Sequence, residues 1–254
     1  MAPGYTDHDF LLACGSEVFR LGRPRLMLVL SVAEKLGGSP LAHPKRFMTH
    51  LALVRHGQTD WNLAKRIQGS TDIPLNATGR AEAAKTALVL GRDSWDAILT
   101  SPLGRAVETA QIIADSLQLG APQIVPGLVE RHYGEAEGLD SAELHERFPG
   151  LTFVPGRETH AEVRTRVHAA LIEIAEARPG QSVIVVCHGG VISALVRFAT
   201  GGGRPRPDER IPNGSIHYFS YLGGVLRLDE FNGDPVNELA LEAEQAAPQL
   251  TNPS

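Results

Sequence analysis

Short unbroken apolar runs alternate along the chain with stretches whose apolar residues recur every three or four positions. LALVR (51–55), DAILT (96–100), QIVP (123–126) and SVIVVC (182–187) have the length and continuity of buried strands. Between them the period is helical. After Asn76 and Thr78, both candidate caps, Ala81, Ala84, Ala87, Leu88 and Gly91 share one predicted face. Ser101-Pro102 reads as a helix start, with Ser as cap and Pro in the first turn, where its missing N–H costs nothing. Leu103, Ala106, Val107, Ala110, Ile113, Ala114 and Leu117 follow on one face.

Thr159 and Glu162 have capping-box spacing, and Val163, Val167, Ala170, Leu171 and Ile174 continue the helix they open. Gly189-Gly190 turns into a helix carrying Val191, Ile192, Leu195 and Phe198. TGGGRPRPDERIP (200–212) is a loop, and SIHYFSY and VLRLDEF around Gly223-Gly224 form a hairpin. Alternating strands and helices predict an α/β protein: a three-layer α/β/α sandwich on a mostly parallel, mixed sheet.

Residues 1–47 lack any sustained period. Their six Lys/Arg and four Asp/Glu give +2, which leaves 24 − 6 = 18 basic and 29 − 4 = 25 acidic residues, or −7, for the rest. We expect a disordered extension there, or sequence upstream of a true start at Met48. The folded domain is expected over 48–232, with a flexible acidic tail over 233–254.

Charge narrows the function. A net charge of −5 without a dense basic cluster argues against nucleic-acid binding. No run of 18 apolar residues suggests a membrane span. Two distant cysteines, Cys14 and Cys187, give no disulfide framework, and a reduced, cytoplasmic setting is expected.

Parallel strands bring their C-terminal ends to one edge, where ligands bind. Two of these strands run into histidine there: Val54-Arg55-His56-Gly57 and Val186-Cys187-His188-Gly189. A third leads into Ser101-Pro102-Leu103-Gly104-Arg105. Arg55 and Arg105 offer planar forks that match phosphate oxygens. Helix N-termini after Gly57, Ser101 and Gly189 would add N–H donors. Cations beside an imidazole lower its proton affinity and keep a nucleophile available. Alone, His56 would read as a strand-end histidine and Arg55 as a surface charge; their repeated placement at one edge is the signal. His132, His145, His160, His168 and His217 lack such context and read as surface or packing residues. Cys187 has no Arg six positions on, so a cysteine phosphatase loop is not supported, and no GxxxxGK[ST] is present.

Leu53 to Asn62, LVRHGQTDWN, resembles the RHG signature of the histidine phosphatase superfamily, the phosphoglycerate mutase-like fold. Further matches run through residues 50–218: Gln68-Gly69, Asp72-Ile73-Pro74-Leu75, Ser101-Pro102-Leu103 with Arg105, Glu130, Glu137-Gly138, His188-Gly189-Gly190 and Asn213-Gly214-Ser215. The resemblance implies that His56 attacks phosphorus and becomes a phosphohistidine. Arg55, Arg105, His188 and Gly189 would hold the transferring phosphoryl group, with Asn62 assisting. Glu130 would protonate the leaving oxygen and then activate water. Thr59, Gln68, Gly69, Arg131 and Tyr133 would face the rest of the substrate. No metal or other cofactor is expected, because the protein's own cations carry the charge role. Family members include dimers, so a homodimer is allowed.

Glu130-Arg131-His132-Tyr133-Gly134 is similar to the ERHYG segment of cofactor-dependent phosphoglycerate mutases. Those mutases have a Lys soon afterwards, where Ser141 stands here, and a longer insertion with paired arginines. Only residues 139–153 separate Gly138 from Val154, with Arg147 the one arginine among them. A shorter insertion leaves the site open to water, so hydrolysis of small phosphorylated metabolites is favoured over mutase transfer. A non-catalytic phospholigand-binding module would lack one of His56, Arg55, Arg105 or His188, and all four are present. The leaving group would be selected by loops over 62–75, 131–158 and 200–212.

Overall fold

The structure, a computed structural model, describes residues 47–236 apart from Thr152. The extension expected over 1–47, save Phe47, and the tail beyond Val236 lie outside the described residues.

Seven strands form one sheet in the order β3-β2-β4-β1-β5-β6-β7. β1 (Thr49–Arg55), β2 (Ala97–Thr100), β3 (Gln123–Ile124) and β4 (Ser182–Cys187) are mutually parallel. β5 (Ile216–Leu222), β6 (Val225–Phe231) and β7 (Asp234–Pro235) extend the sheet antiparallel from β1. The sheet is therefore mixed, as expected. QIVP contributes only two strand residues, because the chain turns at Val125 into a 3₁₀ segment, Pro126–Leu128. β7 carries the sheet past the boundary expected at residue 232.

Successive strand side chains point to opposite faces, which builds two cores. Leu51, Leu53, Val183 and Val185 pack with Val163, Val167, Leu171 and Ile174 of α5 (His160–Glu176) and with Val191, Ile192 and Leu195 of α6 (Gly189–Ala199). Ala52, Val54, Ile184 and Val186 pack on the other side with Ala87 and Leu90 of α2 (Ala77–Leu90) and Ala106, Ala110 and Ile113 of α3 (Gly104–Leu117). That gives the expected three layers. Two short helices, α1 (Asp60–Leu63) and α4 (Ser141–Arg147), sit on the connections. Among the described residues no helix is long and apolar enough to cross a membrane.

Two helix readings need correction. In α2 the cap is Asn76, which accepts from the Gly79 N–H, while Thr78 lies inside the helix. Its buried face is Gly79, Ala83, Thr86, Ala87 and Leu90; Ala81 and Ala84 are exposed and Leu88 is 73% exposed. Alanines surround this helix, so apolar spacing alone could not choose the face. α3 begins at Gly104 and the residue in its cap position is Leu103, which makes no side-chain cap bond, so Ser101 is not the cap. The capping box at Thr159 and Glu162 does form.

Strand register aligns the candidate chemistry. Arg55 pairs with Cys187, and Thr100 and Val54 both pair with Val186. The chain continues that alignment one residue further: the His56 N–H donates to the Cys187 carbonyl (3.0 Å) and the Ser101 N–H to that of Val186 (3.0 Å). Gly57 then threads past the first turn of α2. A Cβ on Gly57 would stand 2.2 Å from the Gly79 carbonyl oxygen, and one on Gly79 would stand 2.1 Å from that of Gln58. Both obstacles are backbone, so neither can swing away. Gly57→Ala is expected to destabilise by about 2 kcal/mol or more, a drop of several degrees in Tm for about 190 residues. A thermal melt that matches the wild type would show that α2 can retreat freely.

Candidate active site

A cavity of about 720 Å³ opens at the carboxyl edge of the parallel strands. Its walls include Arg55, His56, Asn62, Gln68, Gly69, Arg105, Glu130, Arg131, Tyr133 and Gly189. Ten of the twelve expected site residues thus meet in one place. His188 lies directly behind them, fully buried, its ring centroid 5.1 Å from that of His56. Thr59 is the correction: it is wholly buried and does not line the cavity. Its hydroxyl caps α1 by accepting from the Asn62 N–H and donates to Gln68 Oε1 (3.0 Å), so it holds two cavity residues in place.

The tautomer of His56 follows from its partners. Nδ1 lies 2.7 Å from the Gly57 carbonyl, which can only accept, so Nδ1 carries the proton. Nε2 keeps its lone pair and accepts weakly from Arg105 Nε (3.3 Å). Burial, then Arg55, then Arg105 push the imidazole pKa well below its ordinary value, so the ring is neutral near pH 7. The result is a buried imidazole with its lone pair facing a permanent cation.

Arg105 is completely buried on the first turn of α3. Its Nη1 donates to the Thr71 carbonyl (2.8 Å) and its Nη2 to that of Gly69 (2.7 Å), which clamps the 69–71 loop against the site. Arg55 donates through Nη1 to the Ile211 carbonyl, while its buried Nε has no hydrogen-bond partner. His188 Nε2 is 2.7 Å from Ser101 Oγ, and its buried Nδ1 also lacks a partner. The serine misread as a helix cap is therefore spent on His188. Unpartnered buried polar atoms are costly, and two of them flank His56 where an anion would satisfy them.

The helices expected after Gly57 and Ser101 begin three residues on, α1 at Asp60 and α3 at Gly104. α6 does start at Gly189, and its Gly190 N–H donates to Glu130 Oε2 (3.0 Å). Glu130 Oε1 accepts from the Arg131 N–H (2.7 Å). A Cβ on Gly190 would stand 2.5 Å from that oxygen, so the carboxylate needs glycine there. The neighbouring carboxylates do other work. Glu137 accepts from the backbone N–H groups of Ser70, Thr71 and Tyr133, and Glu135 pairs with Arg147 outside the cavity.

Asn213 was missed as a site residue, although its Asn-Gly-Ser segment stood out in the sequence. Its amide donates to the His56 carbonyl (2.9 Å) and to Asn62 Oδ1 (3.2 Å), and it lines the cavity. Asn62 Oδ1 also accepts from the Thr59 N–H, which leaves the Asn62 NH₂ as the donor for a ligand. His160, read as a surface or packing residue, also lines the cavity. Nothing local to the sequence marked it.

The chain as a whole is acidic, yet the cavity is lined by Arg55, Arg66, Arg105, Arg131, Arg197, Arg206 and Arg210 against Glu130 and Glu209. Such a site concentrates anions. Among the described residues no group of three His, Cys, Asp or Glu could hold a metal ion.

The family model for the histidine phosphatase superfamily (branch 1) matches residues 51–234. The uncharacterized phosphatase PhoE of Bacillus subtilis (strain 168) is 39% identical over 185 residues, 73% of this chain and 95% of that protein. A 2,3-bisphosphoglycerate-dependent phosphoglycerate mutase of Cytophaga hutchinsonii is 32% identical over 199 residues, 73% of this chain and 89% of the mutase. Among solved structures, a mycobacterial glucosyl-3-phosphoglycerate phosphatase in complex with VO3 superposes with a TM-score of 0.64 at 30% identity. That alignment covers 73% of this chain and 99% of that one.

Proposed function

The chain belongs to the histidine phosphatase superfamily, and on that premise we propose that it is a metal-independent phosphomonoesterase acting on small phosphorylated metabolites through a phosphohistidine. The observation that carries this reading is the neutral His56 Nε2, its lone pair facing the cavity's buried arginine, Arg105. In the first step Nε2 bonds to phosphorus, the P–O ester bond breaks, and the leaving oxygen takes a proton from Glu130. In the second, Glu130 takes a proton from water, the water oxygen bonds to phosphorus, and the N–P bond breaks. Arg55, Arg105, His188, Asn62 and the Gly189 backbone hold the phosphoryl group throughout. Phosphoryl transfer depends mainly on such positioning and charge stabilisation. The fully buried Arg105 and the partly buried Arg55 would fill the charge role that metal ions fill elsewhere. A cytoplasmic setting goes with this reading, in keeping with only two cysteines, Cys14 and Cys187, far apart in the sequence.

Hydrolysis is favoured over mutase transfer by the 139–153 segment. Its one arginine, Arg147, is spent on Glu135 at the surface and does not reach the cavity. A phosphohistidine here would therefore meet water without an insertion clamp to retain a second acid. The test is phosphate release in excess EDTA from p-nitrophenyl phosphate, 3-phosphoglycerate, phosphoserine and sugar phosphates. Undiminished release is expected. Loss of activity in EDTA, restored by a divalent metal, would refute metal independence. Isomerisation of 3-phosphoglycerate faster than its hydrolysis would make the protein a mutase.

A further inference from the structure

Arg131 is the cavity's one buried arginine outside the phosphoryl pocket. It is 9% exposed, and its Nε donates to the Glu158 carbonyl (2.7 Å). Its guanidinium carbon lies 5.2 Å from the Tyr133 ring centroid. Its Nη1 lies 3.1 Å from His160 Nε2. Arginine can only donate, so His160 must accept through a neutral Nε2, with its proton on Nδ1. Partial burial of the ring, then Arg131, lower the imidazole's proton affinity.

His160 is itself fixed in place. It is the first residue of α5, directly after the Thr159 cap, whose backbone N–H and hydroxyl both bond Glu162 Oε2 at 2.7 Å. The ring lines the main cavity and, with Arg197, a neighbouring cavity of about 640 Å³. The Glu158 carbonyl, the His160 imidazole and the Tyr133 hydroxyl take three of the five guanidinium hydrogens, which leaves two to face a ligand.

We propose that His160 is a positioning residue: by accepting from Arg131 it aims that guanidinium at a second anionic group on the leaving side, so the site selects phosphomonoesters that carry one. The inference rests on the phosphatase reading for its substrate class.

The test uses the full chain carrying His56→Ala, which binds without turnover. Dissociation constants for 3-phosphoglycerate and for inorganic phosphate are measured by calorimetry, and their ratio is the readout. Adding His160→Ala is expected to raise the ratio of 3-phosphoglycerate to phosphate dissociation constants about tenfold, the loss of one hydrogen bond to a charged group. Adding His160→Gln instead, whose amide oxygen can accept from Arg131, is expected to restore the ratio to within about threefold. His160 is exposed at a helix start, so neither change threatens folding. A ratio unmoved by alanine, or glutamine behaving as alanine does, overturns the proposal; so does failure of the parent to bind either ligand. A wild type that binds both ligands and hydrolyses neither overturns the phosphatase reading alone.

Discussion

His56→Ala is expected to lower phosphate release by on the order of 10⁴-fold or more, the scale on which removing a central catalytic group acts. The loss falls on kcat, because the substituted protein keeps Arg55 and Arg105 and should still bind phosphate. The fold should survive. The backbone bond from His56 N–H to the Cys187 carbonyl does not depend on the side chain, and the only side-chain bond to protein acceptors given up is that to the Gly57 carbonyl. The wild type should yield an acid-labile, alkali-stable phosphoprotein when quenched with a labelled substrate, and the variant should not. The pH profile is part of the same expectation. With its pKa held well below the ordinary value, His56 stays neutral further into the acid range than a free imidazole. Acidification through the ordinary histidine range should not remove the nucleophile, so no descending limb there belongs to His56. A variant that retains a tenth of the activity, or a phosphoprotein still formed without His56, would place the nucleophile elsewhere.

Much of the site was legible because strand ends are. The largely apolar runs ending in Arg55 and Cys187 read as buried strands, and parallel strands bring their C-terminal ends to one edge; that the two are neighbours in register is visible only in the structure. Apart from the family resemblance, Arg105 was legible only as a position after a strand. Its three bonds, to Gly69, Thr71 and His56, join segments 34 to 49 residues apart, and no spacing rule reports them. Ser101 was misread for a related reason. Ser-Pro suits a helix start locally, but a buried imidazole 87 residues away bonds the hydroxyl. α4 was missed although Asp140 and Glu143 form a capping box, because seven residues are too few to display a helical period. His160 shows the limit most sharply. It is one of the five histidines set aside as surface or packing residues, and the bond from Arg131, 29 residues earlier, together with its place on the cavity wall sets it apart.

Glu130→Gln is expected to divide substrates by leaving group. For 3-phosphoglycerate and phosphoserine the departing alkoxide needs a proton in the transition state, and loss of the general acid should cost about 10²–10⁴ in kcat. p-Nitrophenolate leaves without one, so the first step with that substrate should be largely spared. The second step still needs a base to take the proton from water, and glutamine cannot serve. Phosphoenzyme should therefore accumulate, visible as a stoichiometric burst of nitrophenolate followed by slow turnover. Geometry makes glutamine a fair test. Glu130 Oε2 accepts from the Gly190 N–H and Oε1 from the Arg131 N–H, and the amide can keep one of these through its oxygen. The other N–H then faces an NH₂ group, a local cost of about 1–3 kcal/mol. Phosphate affinity, set chiefly by Arg55 and Arg105, measures how far that disturbance spreads. Equal losses on all substrates with no burst, at unchanged phosphate affinity, would remove Glu130 from the proton path. Glu137 would not then replace it, because its carboxylate is occupied by the N–H groups of Ser70, Thr71 and Tyr133. The proton would have to come from solvent through the open side of the cavity, and the rate would lose its dependence on any single carboxylate.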